Sequence, residues 1–197
     1  MRALALLGRL RQESRGSTIA EFAVVAPTML VLIMGSMDLA YRGYATSVLE
    51  GEIQKAARDS GMEGGADRIA AIETKVKNQV KVVVKNANFS PLRSSYTSYL
   101  TAKPERFSDT NGNNRRDAGE CFDDVNANAQ WDVDPGNVGQ GGANDVTAYS
   151  MTMSFPRLFP LAGMLGWPAD ETIVVKTYLR NQPFNAQNVP VVRNLCT

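Results

Sequence analysis

The chain has 197 residues, 44% hydrophobic and 21% charged, with 21 Lys and Arg against 20 Asp and Glu, two cysteines and no histidine. That length holds one domain with a real core. The missing histidine removes the usual triad base, general acid and zinc ligand together, so no enzyme and no small-molecule substrate are predicted, and the slightly acidic part after the leader offers no basic patch for a nucleic-acid partner. GQGG at 139–142 lacks the preceding strand and the Lys that would make it a phosphate loop.

Met1 to Gly16 is short and basic, with Arg2, Arg9, Arg11 and Arg15 against Glu13, a net charge of +3 that leaves −2 for the remainder. Leu4, Leu6, Leu7 and Leu10 suit a short interfacial helix within it. From Phe22 to Met37 run sixteen residues without a charge, and Glu21 stands at their front. As a helix this run is about 24 Å long, and Ser17 to Ala20 bring it to bilayer thickness. The basic flank predicts a cytoplasmic N-terminal end with the long C-terminal part across the membrane. An ordinary signal peptide is the alternative, but Gly35-Ser36-Met37-Asp38 is a weak cleavage pattern.

The helix is expected to continue past Asp38. Tyr41, Tyr44 or Ala45, Val48 or Leu49, Ile53 and Ala56 or Ala57 recur every three to four residues. Pro27 should kink it, and Gly35, Gly43 and Gly51 weaken it. Ile53 and Ala57 read as packing against the chain's own domain, and Tyr41 and Tyr44 as interface aromatics.

GMEGG at 61–65 is a strong break. A second helix follows from about Asp67 to Lys85, although the β-branched Val80 to Val84 would also suit a strand. Its lysines at 75, 77, 81 and 85 suit either a solvated face or anionic lipid. A strand is placed at Tyr96 to Thr101.

Asp109 to Asp134 carries seven acids against Arg115 and Arg116, a density of oxygens that needs cations or disorder. Counted from Asp109, oxygens fall at positions 1, 3, 5, 9 and 12 in Asp109, Asn111, Asn113, Asp117 and Glu120, with the Arg115 carbonyl at position 7. This is an EF-hand-type spacing for Ca2+, with Asn114 in place of the usual glycine at position 6. A second copy starts at Asp124, with Asn126, Asn128, Gln130 and Asp132 at positions 3, 5, 7 and 9. Pro135 occupies its position 12, so Asp134 is expected to close it. The expected affinity is of the weak extracellular kind, on the order of 10⁻⁴ to 10⁻³ M. A solvated acidic loop whose Asn and Gly serve turns is the plain alternative.

Val146 to Phe155 alternates as a strand, and Thr172 to Arg180 is its expected partner. Between them PRLFPLAGMLGWPADE is unusually apolar, either a lid on the core or a sticky surface. Asn181 to Thr197 reads as an irregular tail. Cys121 and Cys196 form an even pair; in an exported domain they suggest a disulfide, worth roughly 4 kcal/mol for a loop of about 75 residues, and two free thiols are the alternative.

The segment GSTIAEFAVVAP, with Gly16, Glu21 and Phe22 ahead of an apolar run broken by Pro27, resembles the processing site and N-terminal helix of type IV pilin-like proteins. The nearest likeness is to the TadE-like minor pseudopilins of tight-adherence (Flp) pili. That resemblance implies a prepilin peptidase cutting between Gly16 and Ser17, a Glu21 that pairs with a neighbouring subunit's terminal ammonium, and other pilin-like subunits and assembly machinery as partners. The whole predicts an α+β protein: leader 1–16, transmembrane and extended helix 17–60, and exported domain 66–197 with a second helix, an antiparallel sheet and calcium-type loops at 109–134. It sits single-pass in the inner membrane. A permanently anchored calcium-dependent adhesin or envelope binding module is the competing reading.

Overall fold

The computed structural model describes residues 17–62, 64–159, 163, 166–184 and 186–196. It divides into two compact units, one drawn from Met1–Tyr44 and Arg157–Asp170, the other from Ala45–Pro156 and Glu171–Thr197. Helix α1, Ser17–Gly61, runs through both without interruption, with Pro27 inside it. At about 1.5 Å per residue it is about 68 Å long.

In the first unit α1 exposes its apolar side chains all round: Ile19, Phe22, Val24, Leu32 and Leu39 are each more than 65% exposed. A helix apolar all round and left uncovered by the described residues suits an apolar surrounding. In the second unit the same helix buries Ala45, Leu49, Ile53, Ala56 and Ala57, the expected stripe, whereas Tyr44 is exposed. Full burial of a side chain such as Leu49 or Ile53 contributes about 1.5–3 kcal/mol.

After α1 a 3-10 turn, Ala66–Arg68, leads into α2, Ile69–Val83. Val76 and Val80 are buried, and the β-branched end remains helical to Val83. The following strand lies earlier than Tyr96 to Thr101: β1 is Asn88–Tyr96, and Tyr99–Thr101 is a 3-10 turn. Proline in β1 is tolerated because its neighbour β3, Asn137–Val138, reaches only Ser94 and Ser95, leaving the Pro91 stretch open on that side.

Strand β4, Val146–Pro156, pairs antiparallel with β1 over nine residues, Asn88 facing Ser154 and Tyr96 facing Val146. Strand β5, Asp170–Arg180, is the expected neighbour of β4, giving the sheet order β3-β1-β4-β5. Tyr149, Met151, Met153 and Phe155 of β4 are buried with Ile173 and Val175 of β5, and Ser150, Thr152 and Ser154 alternate with them. An added Cβ on Gly61 would come 2.6 Å from Leu179 Cδ2, so the end of α1 abuts β5.

Arg93 enters this apolar face from β1. It is buried, 3.8 Å over the Tyr149 ring, and donates to Glu73 at 3.3 Å, Ser60 at 3.1 Å and Gln140 at 2.7 Å. One guanidinium thus joins both helices, the sheet and the 139–142 loop, satisfying carbonyl and carboxyl oxygens that burial would otherwise penalise.

The expected irregular tail contains a strand. Residues Arg193–Cys196 form β6, antiparallel to β2, Cys121–Asp124, in a separate two-stranded sheet. Cys121 faces Cys196 in that register and the two are joined as a disulfide. The tail was unreadable because only the cross-link and a distant partner give these four residues a ladder.

Candidate functional site

Two features carry chemistry. The first is the start of α1. Of the residues expected to matter there, Gly16 lies outside the described residues; Ser17 begins the helix, and Glu21 and Phe22 lie in its first turns, Phe22 exposed. Thr18–Gly61 is long and apolar enough to cross a membrane, and its apolar window has no buried residue.

The second is the 109–134 segment, which folds as two loops of similar design on either side of β2. In the first, Asp109 Oδ1 accepts the Gly112 N–H at 2.7 Å and the Asn113 N–H at 3.2 Å, and Oδ2 accepts the Asn114 N–H at 2.8 Å. Asn111 and Asn113 accept from the N–H two residues on, at 3.0 and 2.7 Å. Their amide nitrogens both donate to Asp117 Oδ2 at 2.7 Å. Glu120 closes the loop: Oε1 accepts the Thr110 N–H at 2.8 Å and Oε2 the Asp117 N–H at 2.9 Å. The chain can wind this tightly because Gly112 and Asn114 take left-handed angles, φ 73° and 57°. The amides of Asn111 and Asn113 hold the Asp117 carboxyl below the usual range, and the Asp117 and Thr110 N–H groups do the same for Glu120.

The second loop repeats most of these bonds. Asp124 accepts from Asn128 N at 3.2 Å and Ala129 N at 3.0 Å; Asn126 and Asn128 accept from the N–H two residues on, at 3.2 and 2.7 Å. Asn126 and Asn128 donate to Asp132 Oδ2 at 2.9 and 2.6 Å. Here Ala127 and Ala129 sit at φ 64° and 60°, a conformation that costs an alanine about 1–2 kcal/mol.

The closing residue differs from expectation. Asp134 does not close the second loop: its carboxylate accepts from the Tyr96 hydroxyl and the Gly136 N–H. Glu105 takes the place. Its Oε1 accepts the Val125 N–H at 2.9 Å and its Oε2 the Asp132 N–H at 3.0 Å, positions 2 and 9 of this loop, the same two that Glu120 holds in the first. Glu105 is buried, its own N–H donates to the Asp132 carbonyl, and its carbonyl accepts Trp131 Nε1. Burial raises its carboxyl, and the two N–H groups partly offset that. Position counting missed Glu105 because it lies upstream of both loops; its only sequence signal was the lack of a carboxylate at position 12 of the second repeat.

Among the described residues no group of three Asp, Glu, Cys or His gathers closely enough to hold a metal by itself. A cation here would draw on amide and main-chain oxygens as well, in the first loop Asn111, Asn113 and the Arg115 carbonyl beside Asp109, Asp117 and Glu120. In the second the matching set is Asn126, Asn128 and the Gln130 carbonyl beside Asp124, Asp132 and Glu105. An oxygen-only set suits a hard cation, and the hydrogen bonds above already draw the side chains of each loop together.

With both features described, the comparison with known families bears on the first. Residues 16–59 match the TadE-like protein family model. That family is a structural, pilus-associated one. The TadE-like segment covers α1 and stops before α2, so both asparagine-rich loops lie outside it. Neither the curated proteins nor the solved structures contain a match to the chain.

Proposed function

We propose that the chain is a minor pilin-like subunit for a tight-adherence pilus, cut after Gly16 and anchored through α1 in the inner membrane. The leader faces the cytoplasm and the 66–197 domain is exported. The observation that carries this reading is the TadE-like match, which begins at residue 16, where the expected cleavage site stands, and contains Glu21. After cleavage Glu21 becomes the fifth residue of the mature chain. Placed in an apolar bundle of such helices, its carboxylate needs a cationic partner, and the new terminal ammonium of a neighbour supplies one and sets axial register.

Mass spectrometry of the chain from a peptidase-proficient host tests this. A mature N-terminus at Ser17 supports it; an intact Met1, or a cut beyond Met37, defeats it and leaves the anchored binding module.

The two loops complete the proposal as weak Ca2+ sites that stiffen the exported unit. With a dissociation constant near 1 mM, 10 mM Ca2+ would add about 1.4 kcal/mol of stability per occupied site. Calorimetry of the full chain in detergent is the check, and the absence of both binding heat and a melting shift at millimolar Ca2+ overturns the metal assignment without touching the pilus reading.

A further inference from the structure

Among the described residues of the apolar connector after β4, Leu158 is 48% and Trp167 57% exposed, Gly166 and Pro168 are exposed beside them, and Phe159 is half-buried. The connector belongs to the same compact unit as the first part of α1. Its two ends are tied together, the Arg157 N–H donating to the Ala169 carbonyl at 3.1 Å and Arg157 Nε to the Pro168 carbonyl at 3.1 Å. The closed base is then pinned to the helix at one residue. Arg157 Nη1 meets Asp38 Oδ2 at 2.9 Å, and the Leu158 N–H donates to Asp38 Oδ1 at 3.3 Å. The same guanidinium lies 5.7 Å over the Trp167 ring.

The position of Asp38 gives this arrangement meaning. Ser17 to Met37 are 21 residues, about 31 Å of helix, close to the roughly 30 Å hydrocarbon thickness of a bilayer. Asp38 is the first charge after that stretch and therefore falls at the hydrocarbon boundary, where an unpaired carboxylate is costly and a paired one is tolerated. Whatever is bound to Asp38 is at headgroup depth. Exposed Trp is the side chain most at home there, with its ring among acyl chains and its N–H toward water, and Tyr41 and Tyr44 stand on the next turns of the helix.

We propose that the connector is a second membrane contact, an interfacial loop that seats Leu158 and Trp167 in the lipid–water boundary, with the Asp38–Arg157 ion pair setting its depth. The occupant of this surface is lipid, because the surface is continuous with the membrane-spanning face of α1. The inference rests on reading α1 as a membrane span. Its consequence is a chain held to the bilayer at two points of one short stretch, which restricts tilt and rotation of the helix before any assembly.

The full chain, reconstituted in phosphatidylcholine–phosphatidylglycerol vesicles, provides the test. The chain has two tryptophans, Trp131 and Trp167, so subtracting the emission of Trp167→Phe isolates Trp167. Lipids brominated near the headgroup end of the acyl chain are expected to quench at least half of the Trp167 emission, and to leave the Trp131 emission of Trp167→Phe unchanged. Arg157→Gln should reduce the Trp167 quenching several-fold, and Asp38→Asn should do the same. Membrane-retained chain whose Trp167 is unquenched overturns the inference. So does quenching that is stronger from bromines at the chain ends, or a blue-shifted but unquenched Trp167, which would show protein rather than lipid covering it. Extraction of the chain by alkaline carbonate would instead defeat the membrane-span reading itself.

Discussion

Glu105→Gln tests the closure of the second loop. The wild-type carboxylate accepts two main-chain N–H groups, from Val125 at 2.9 Å and Asp132 at 3.0 Å, in a buried setting. Glutamine keeps one acceptor oxygen but turns an NH2 group on the other N–H, so one charge-assisted bond is lost and one donor is left buried without a partner. A hydrogen bond to a charged group contributes about 1.5–3 kcal/mol and an orphaned buried donor costs about 1–3 kcal/mol, partly the same energy counted from two sides, so the net loss is about 3 kcal/mol. In a domain of this size that lowers the melting midpoint by about 6–12 °C. Calorimetry of the full chain in detergent reads the midpoint. Hydrogen exchange reads the site, with faster exchange expected at the Val125 and Asp132 amides and none at Thr110 and Asp117, which Glu120 holds. Asp134→Asn is the comparison: it weakens only the contacts to Tyr96 and Gly136 and should cost about 1 kcal/mol. If Asp134→Asn destabilises more than Glu105→Gln, or if the Val125 and Asp132 amides stay protected in Glu105→Gln, the assignment of Glu105 as the closing residue is wrong.

Removing the disulfide through Cys196→Ser should cost about 4 kcal/mol in the chain-entropy model, given a sequence separation of 75, and limited proteolysis should then cut within 186–196, where β6 loses its tie to β2; unchanged proteolysis would mean that the β2–β6 ladder holds by itself. On the alkaline side, burial pushes the Tyr149 phenol up to about 12, with Arg93 over its ring pulling the other way. A folded value above the unfolded value of about 10 means that the protonated phenol's contribution is complete below pH 10 and is lost as pH rises toward 12. Burial and Asp134 raise Tyr96 as well. The ultraviolet titration difference between wild type and Tyr149→Phe should therefore show the Tyr149 phenol ionising above pH 10, and its ionisation near pH 10 would contradict the packing described around Arg93.

What could be read along the chain was what neighbouring residues decide together. The span of α1 follows from a local run of uncharged side chains, its continuation to Gly61 from a stripe at helical spacing, and β4 from strict alternation. The first asparagine-rich loop was legible for the same reason: all of its oxygens, from Asp109 to Glu120, lie within twelve consecutive residues. The start of α1 carried the family resemblance because Gly16, Glu21 and Phe22 are read in register along one short stretch of sequence.

The rest depended on residues brought from a distance. Nothing near Asp124 announces Glu105, since its role exists only once the 105–108 stretch lies beside β2, with Asp123 N bonded to the Arg106 carbonyl and Ser108 N to the Cys121 carbonyl. Nothing in SPLRSSY marks Arg93 as a buried residue, because the partners of its Nε and Nη1, Glu73, Ser60 and Gln140, arrive from three other segments. The strand at Arg193–Cys196 needed its partner 75 residues away. The apolar connector was the sharpest case, for its composition suits a core lid as well as a sticky surface, and the ion pair of its Arg157 is made with Asp38, far away in sequence. Hydrophobicity along the sequence determined which segments must leave water; the tertiary structure decided which surface each of them meets, because burial and pairing are properties of residues assembled in space.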